Sequence, residues 1–205
     1  RMAHSFAFFE GVHAEAYAQL NISLNLLDFD AFIHEPTAKA KIDRLMSVKG
    51  KSTRDIARSL AVFSCFTEGV NLFSSFSILL NFSRFNKMKG MGQIISWSIR
   101  DESLHSQAGC SLFNQLVLEN PEIWDDELKA EIYDAARLTV QLEDDFIEKA
   151  FSLGEIEGLS LADMKTFVRH RCNQKLQEIG LKSNWRNLDK SIVDKMKWFD
   201  VLSGG

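Results

Sequence analysis

An all-α domain is predicted from three features of this 205-residue sequence. Long segments carry apolar residues at helical spacing, alternating strand patterns are absent, and the only two prolines, Pro36 and Pro121, fall between the long segments. A chain of this length makes one domain around one large core. Hydrophobic residues make up 45% and charged residues 25%, the ordinary balance of a globular protein. The net charge of -4 provides no basic face, so no nucleic-acid partner is expected. No apolar run is read as approaching the roughly 20 residues that cross a bilayer, and no signal pattern opens the chain. No membrane contact and a cytoplasmic location follow as expectations. Cys65, Cys110 and Cys172 have no paired spacing, which suits a reducing compartment.

The first helix is predicted over about 2–27, where apolar residues recur at helical spacing around a single glycine, Gly11. Asp28 to Asp30 and Pro36 break it, and a short amphipathic stretch, Ala38 to Val48, ends at Gly50. Ser52 with Asp55 reads as an N-cap and acidic first turn opening a helix over about 52–85. That segment is apolar almost all round, including Phe63, Phe66, Phe73 and Phe76, as a central helix must be. Asn86 to Gly92 is the expected turn, with a third long helix over about 93–118. Further helices are read over about 122–153, stopped by Gly154, and about 160–180, closed by Gly180. One short helix ending at Asp200 is expected after Lys182. The acidic run Glu143-Asp144-Asp145 reads as a solvated face, the four tryptophans as packing residues, and His4, His34 and His170 as surface or capping residues.

Five side chains carry the chemistry. Glu10-x-x-His13 and Glu102-x-x-His105 each place a carboxylate and an imidazole on one helical face, about 60° apart, because three residues turn about 300°. Each pair can give one oxygen and one nitrogen ligand to a metal. Glu68 lies on the all-apolar helix, where an unpartnered buried carboxylate costs several kcal/mol and so demands a metal, a cation or a proton. Two Glu-x-x-His helices plus carboxylates from neighbouring helices make the di-metal site of a ferritin-like bundle, with Glu68 able to bridge. A hairpin centred on Phe85 would put Glu68 and Glu102 at one level. A later turn near Gly90 would stagger them unless the Glu68 helix is distorted. Tyr17 follows His13 by four residues, about 6 Å along the axis. It is one of only two tyrosines, and a phenol beside such a cluster can be oxidised to a radical. Asp101 can accept a hydrogen bond from a ligand histidine and fix its tautomer.

From about Met2 to Phe151 the sequence resembles the small subunit of class I ribonucleotide reductase. The likeness rests on Glu10-Gly-Val-His13-Ala-Glu-Ala-Tyr17, Glu68 and Arg100-Asp-Glu-Ser-Leu-His105, and on the 34 residues from Glu68 to Glu102. The resemblance implies that Glu10 and His13 bind one metal, Glu102 and His105 the other, and that Glu68 helps to bridge. It implies that Tyr17 holds the radical, that Asp101 links a ligand histidine to the radical-transfer route, and that Leu72 and Phe76 form an apolar shell. The cofactor implied is two metal ions, iron foremost, with manganese or a mixed pair open because both accept these ligands. The partners implied are a large subunit that reduces ribonucleotides and a second copy in a homodimer. In that family a sixth ligand and a tryptophan of the electron route would fall before residue 1, and a tail that docks the large subunit after residue 205. Ser98 stands where an apolar residue is expected. The alternatives are another ferritin-like di-metal oxidase and a helical scaffold with a degenerate cluster.

Overall fold

Ser52 opens the helix that organises the molecule. In the computed structural model, which describes residues 2–25, 34–47 and 50–203, its hydroxyl accepts from the Asp55 N–H while the Asp55 carboxylate accepts from the Ser52 N–H. This reciprocal cap starts α3 (Thr53–Leu60), which runs on as a π-helix (Ala61–Asn71) and then as α4 (Leu72–Arg84). The wide turns are visible in the bonding. The Thr67 hydroxyl donates to the Val62 carbonyl, and the Leu72 N–H donates to the Thr67 carbonyl, each five residues back. Ala61, Cys65, Phe66 and Val70 are buried along this stretch, as its all-round apolarity predicts, whereas Phe63 is exposed. By length and mean hydropathy, Thr53–Arg84 could cross a membrane, contrary to the sequence expectation. Its apolarity instead fills the core, and 61% of its most apolar window is buried inside the protein.

The remaining elements surround it. α1 (Met2–Ser23) and α2 (Pro36–Met46) precede it, and α5 (Lys89–Glu119) returns antiparallel after a turn over residues 85–88. A short 3-10 turn (Pro121–Ile123) leads to α6 (Asp126–Ser152), followed by α7 (Leu161–Glu178), α8 (Lys190–Met196) and α9 (Trp198–Ser203). No strand occurs among the described residues, and the all-α prediction holds. The expected break at Asp28 to Asp30, the last two residues of the predicted first helix and Val48 lie outside the described residues.

Several expectations change. Gly90 and Gly92 do not make the hairpin turn. Asn86 and Met88 do so in left-handed conformations, at φ 60° and 47°, and both glycines lie inside α5. Gly92 serves packing, because a Cβ there would meet the Ser83 hydroxyl of α4 at 1.9 Å. Two short helices replace the single one expected near the end. Trp97 is exposed rather than packed. The acidic run is not a solvated face, since Glu143 is fully buried with Lys41 Nζ of α2 at 2.5 Å, and Asp144 pairs with Arg169 of α7. Helix α6 turns these residues inward, which a run of three acids does not reveal. Cys65 and Cys110 lie 45 positions apart, yet their thiols touch at 3.0 Å between the π-helix and α5.

Candidate metal centre

The two Glu-x-x-His pairs lie on α1 and α5, and Glu68 lies in the π-helix between them. On α5, Ser98, Glu102, Ser106 and Gly109 recur at spacings of four, four and three, a buried stripe of polar and small residues on one face. Gly109 admits close approach, since a Cβ there would fall 1.9 Å from the Ser64 hydroxyl of the π-helix. The stagger foreseen from the late glycines does not arise, because Asn86 and Met88 make the turn. Glu68, within the π-helix, and Glu102 come close enough to share one site.

Glu10, Glu68, Glu102 and His105 each offer a ligand atom, and these atoms all lie within 4.8 Å of one another. Three carboxylates this close, two of them buried and Glu10 on the open edge, repel each other unless a cation or protons intervene. Burial first, and then the Glu10 charge, pushes the Glu68 carboxyl up to about 7. Burial, followed by Glu10, Glu68 and Asp101, pushes Glu102 up to about 8. Burial lowers the pKa of His105, favouring the neutral imidazole that binds metal. Glu102 Oε2 and His105 Nε2 are buried with no hydrogen-bond partner among the described residues. Such orphaned acceptors, in an oxygen and nitrogen donor set, fit a pair of first-row metal ions.

His13 joins from α1. Its Nδ1 lies 3.2 Å from Glu102 Oε1 and 3.9 Å from Glu10 Oε2, and its Nε2 lies 3.1 Å from Asp101 Oδ2. With Nε2–H donating to Asp101, Nδ1 keeps its lone pair toward the carboxylates. His105 Nδ1 lies 3.1 Å from Glu10 Oε1 and 3.8 Å from Glu102 Oε2. The pairs are therefore crossed. Glu10 and Glu102 each reach both histidines, and Glu68 brings a carboxylate oxygen within 4.8 Å of ligand atoms of Glu10, Glu102 and His105. Sequence spacing could not reveal this, because it fixes which residues share a helix face but not how two faces interlock.

Tyr17 is half-buried, and its hydroxyl donates to Ser98 Oγ at 2.7 Å. Burial raises its pKa to about 12, with the Ser98 bond lowering it and Glu102 and Glu10 raising it. The aromatic face of the site is closed by Phe6, whose ring centroid lies 4.0 Å from that of His105. Phe76 is buried and Leu72 half-buried on the turns after Glu68. All seven predicted residues thus lie in or beside one cluster. Phe6 and the hydrogen-bonding role of Ser98 were not among the predictions. His4 and His34 are exposed and His170 is half-buried.

The family profile described as ribonucleotide reductase, small chain, matches residues 1–190. The chain belongs to this family. Among its relatives, the probable ribonucleoside-diphosphate reductase small subunit 048L of Invertebrate iridescent virus 3 is 41% identical across 98% of this chain. The match spans 58% of that relative's length. The ribonucleotide reductase R2 subunit from Clostridium botulinum superposes with a TM-score of 0.85 at 23% identity, covering 96% of this chain and 63% of that one. The dimanganese(II)-NrdF of Streptococcus sanguinis gives 0.76 at 22% identity, covering 92% and 68%. These likenesses establish a ribonucleotide reductase small-chain fold, the ferritin-like bundle expected from the ligand pattern.

Proposed function

We propose that this chain carries the oxidation centre of a ribonucleoside-diphosphate reductase small subunit. In this reading two metal ions, iron or manganese, would be held by these five side chains. His13 and His105 would each give a nitrogen, Glu10 and Glu102, which reach both histidines, would be shared, and Glu68 would complete the set. When bound, the metal pair supplies one-electron oxidation driven by dioxygen. Tyr17 would lose one electron to this oxidant and its hydroxyl proton to water, and would store the resulting radical. Asp101 holds His13 in the tautomer that leaves Nδ1 free. It also continues the hydrogen-bonded route along which the oxidising equivalent would leave. A large subunit would use that equivalent to reduce ribonucleotides to deoxyribonucleotides, in a cytoplasmic enzyme. A homodimer is part of the proposal, and the exposed apolar stripe of Phe8 and Val12 on α1 offers surface for it.

The observation that carries this reading is the placement of Tyr17. An iron-storage or substrate-oxidising site has no need of a phenol held half-buried beside the carboxylates, or of Asp101 behind His13. Membership of the reductase family supports the same choice. The test is Tyr17→Phe in the complete, metal-loaded protein, followed by electron paramagnetic resonance after oxygen exposure. The tyrosyl signal should vanish with metal content nearly unchanged, and nucleotide reduction with the large subunit should fall to background. Full activity in the variant would place the radical elsewhere, and loss of metal would make Tyr17 structural.

A further inference from the structure

Ser98 is a polar side chain beside Tyr17 for which metal binding gives no use. It is 2% exposed and sits on α5 one turn before Glu102, on the face turned toward the cluster. The family resemblance leads to an apolar residue at this position. A buried serine must place its hydroxyl somewhere, and here the Oγ accepts from the Tyr17 hydroxyl at 2.7 Å across 81 residues of sequence. The bond ties α1 to α5, the two helices that carry the Glu-x-x-His pairs.

The direction of this bond matters. The charges of Glu10 and Glu102 both act on Tyr17, so a carboxylate would be the stronger acceptor for a phenol. The O–H instead points to a neutral hydroxyl, which leaves the carboxylate oxygens to the metal side. A serine hydroxyl also has two roles. It accepts from a phenol, and by rotating it donates to an oxygen that has lost its proton. An apolar residue at this position could do neither.

We propose that Ser98 is the positioning residue of Tyr17, holding the phenol O–H in the resting protein and donating to the phenoxyl oxygen once Tyr17 is oxidised. The second half rests on Tyr17 being the oxidised residue, as proposed above, whereas the first half is independent of metal or radical. The product is a hydrogen-bonded tyrosyl radical rather than one isolated among apolar side chains.

The test has two arms on the complete protein. In the metal-free protein with ring-labelled tyrosine, the Tyr17 C–O stretch is isolated as the infrared difference from Tyr17→Phe. A phenol that donates a hydrogen bond absorbs at higher wavenumber than one that does not. Ser98→Ala should move the band down, and Ser98→Thr, which keeps the hydroxyl, should restore it. Helix content by circular dichroism confirms that each variant is folded. If Ser98→Ala fails that check, Ser98→Cys takes its place, and its weaker acceptor should give a smaller shift in the same direction. An unmoved band in a folded variant overturns the inference. In the metal-loaded, oxidised protein, high-field electron paramagnetic resonance should give a low gx for the parent radical and a higher one for Ser98→Ala. An unchanged gx overturns the radical half. An infrared shift with no radical in the parent protein would sink the proposed function while leaving the resting hydrogen bond standing.

Discussion

Replacing Glu102→Gln should stabilise the metal-free protein at neutral pH while removing its metal binding. The folded chain holds the Glu102 carboxyl at about 8, against an ordinary value of 4.5, through burial and then the charges of Glu10, Glu68 and Asp101. Between those values the folded state keeps a proton that the unfolded chain has released. Stability is therefore full below pH 4.5 and is lost as pH rises through 8. From 4.5 to pH 7 the cost accumulates over about 2.5 pH units, or about 3.4 kcal/mol at 1.36 kcal/mol per unit. The Glu10 side chain on the open edge of the site is 54% exposed, so solvent screening reduces the figure to about 1–2 kcal/mol. Glutamine is neutral at every pH and escapes this cost. At pH 7 its melting temperature should exceed the parent's by about 3–6 °C in a chain of this size. At pH 5 the gain should shrink to about 1 °C. Thermal unfolding of chelated protein at both pH values measures it, and added Mn2+ should raise the parent's midpoint but not the variant's. A variant less stable than the parent at pH 7, or a difference independent of pH, would refute the crowded-carboxylate reasoning.

Two further outcomes follow from particular contacts. Asp101→Asn removes the carboxylate that orients His13 and should weaken Mn2+ binding about 10–100-fold with little change in the melting midpoint. An unchanged affinity in a metal titration would end that role. Lys41→Met leaves Glu143 buried without its cation and should cost about 3–5 kcal/mol near pH 8. The loss should shrink toward pH 5, because burial already raises the Glu143 pKa and a protonated carboxyl needs no cation. Denaturant unfolding measures it, adding Glu143→Leu should recover most of the loss, and a neutral Lys41→Met would show that the pair does not anchor α2.

The helices and the ligand set were legible because their signals are local. Ser52 with Asp55 marks a helix start by side chains three residues apart, and that capping box forms, as does one at Ser160 and Asp163 that was not among the predictions. Each Glu-x-x-His pair declares a helical face by itself. What stayed hidden depends on how faces meet. The π-helix around Glu68 has no sequence signature beyond an all-apolar run, yet it carries that carboxylate into the cluster. Glycine misled at Gly92, where the missing Cβ serves helix contact rather than turn geometry. Acidity misled at Glu143, whose neutralising lysine lies 102 positions earlier. The contact of Cys65 with Cys110 is of the same kind, since nothing in a spacing of 45 residues predicts that two helices will cross there.

The central claim is that Glu10 and Glu102 bridge two metal ions with one histidine on each. Anomalous diffraction from crystals of the complete protein grown with Mn2+ tests it most directly. The expected result is two peaks per chain about 3.5–4 Å apart. One should lie at His13 Nδ1 and the other at His105 Nδ1, with a Glu10 and a Glu102 oxygen on each and Glu68 on the second alone. A single peak, peaks at other residues, or two ions bridged by Glu68 instead of Glu10 and Glu102 would contradict it.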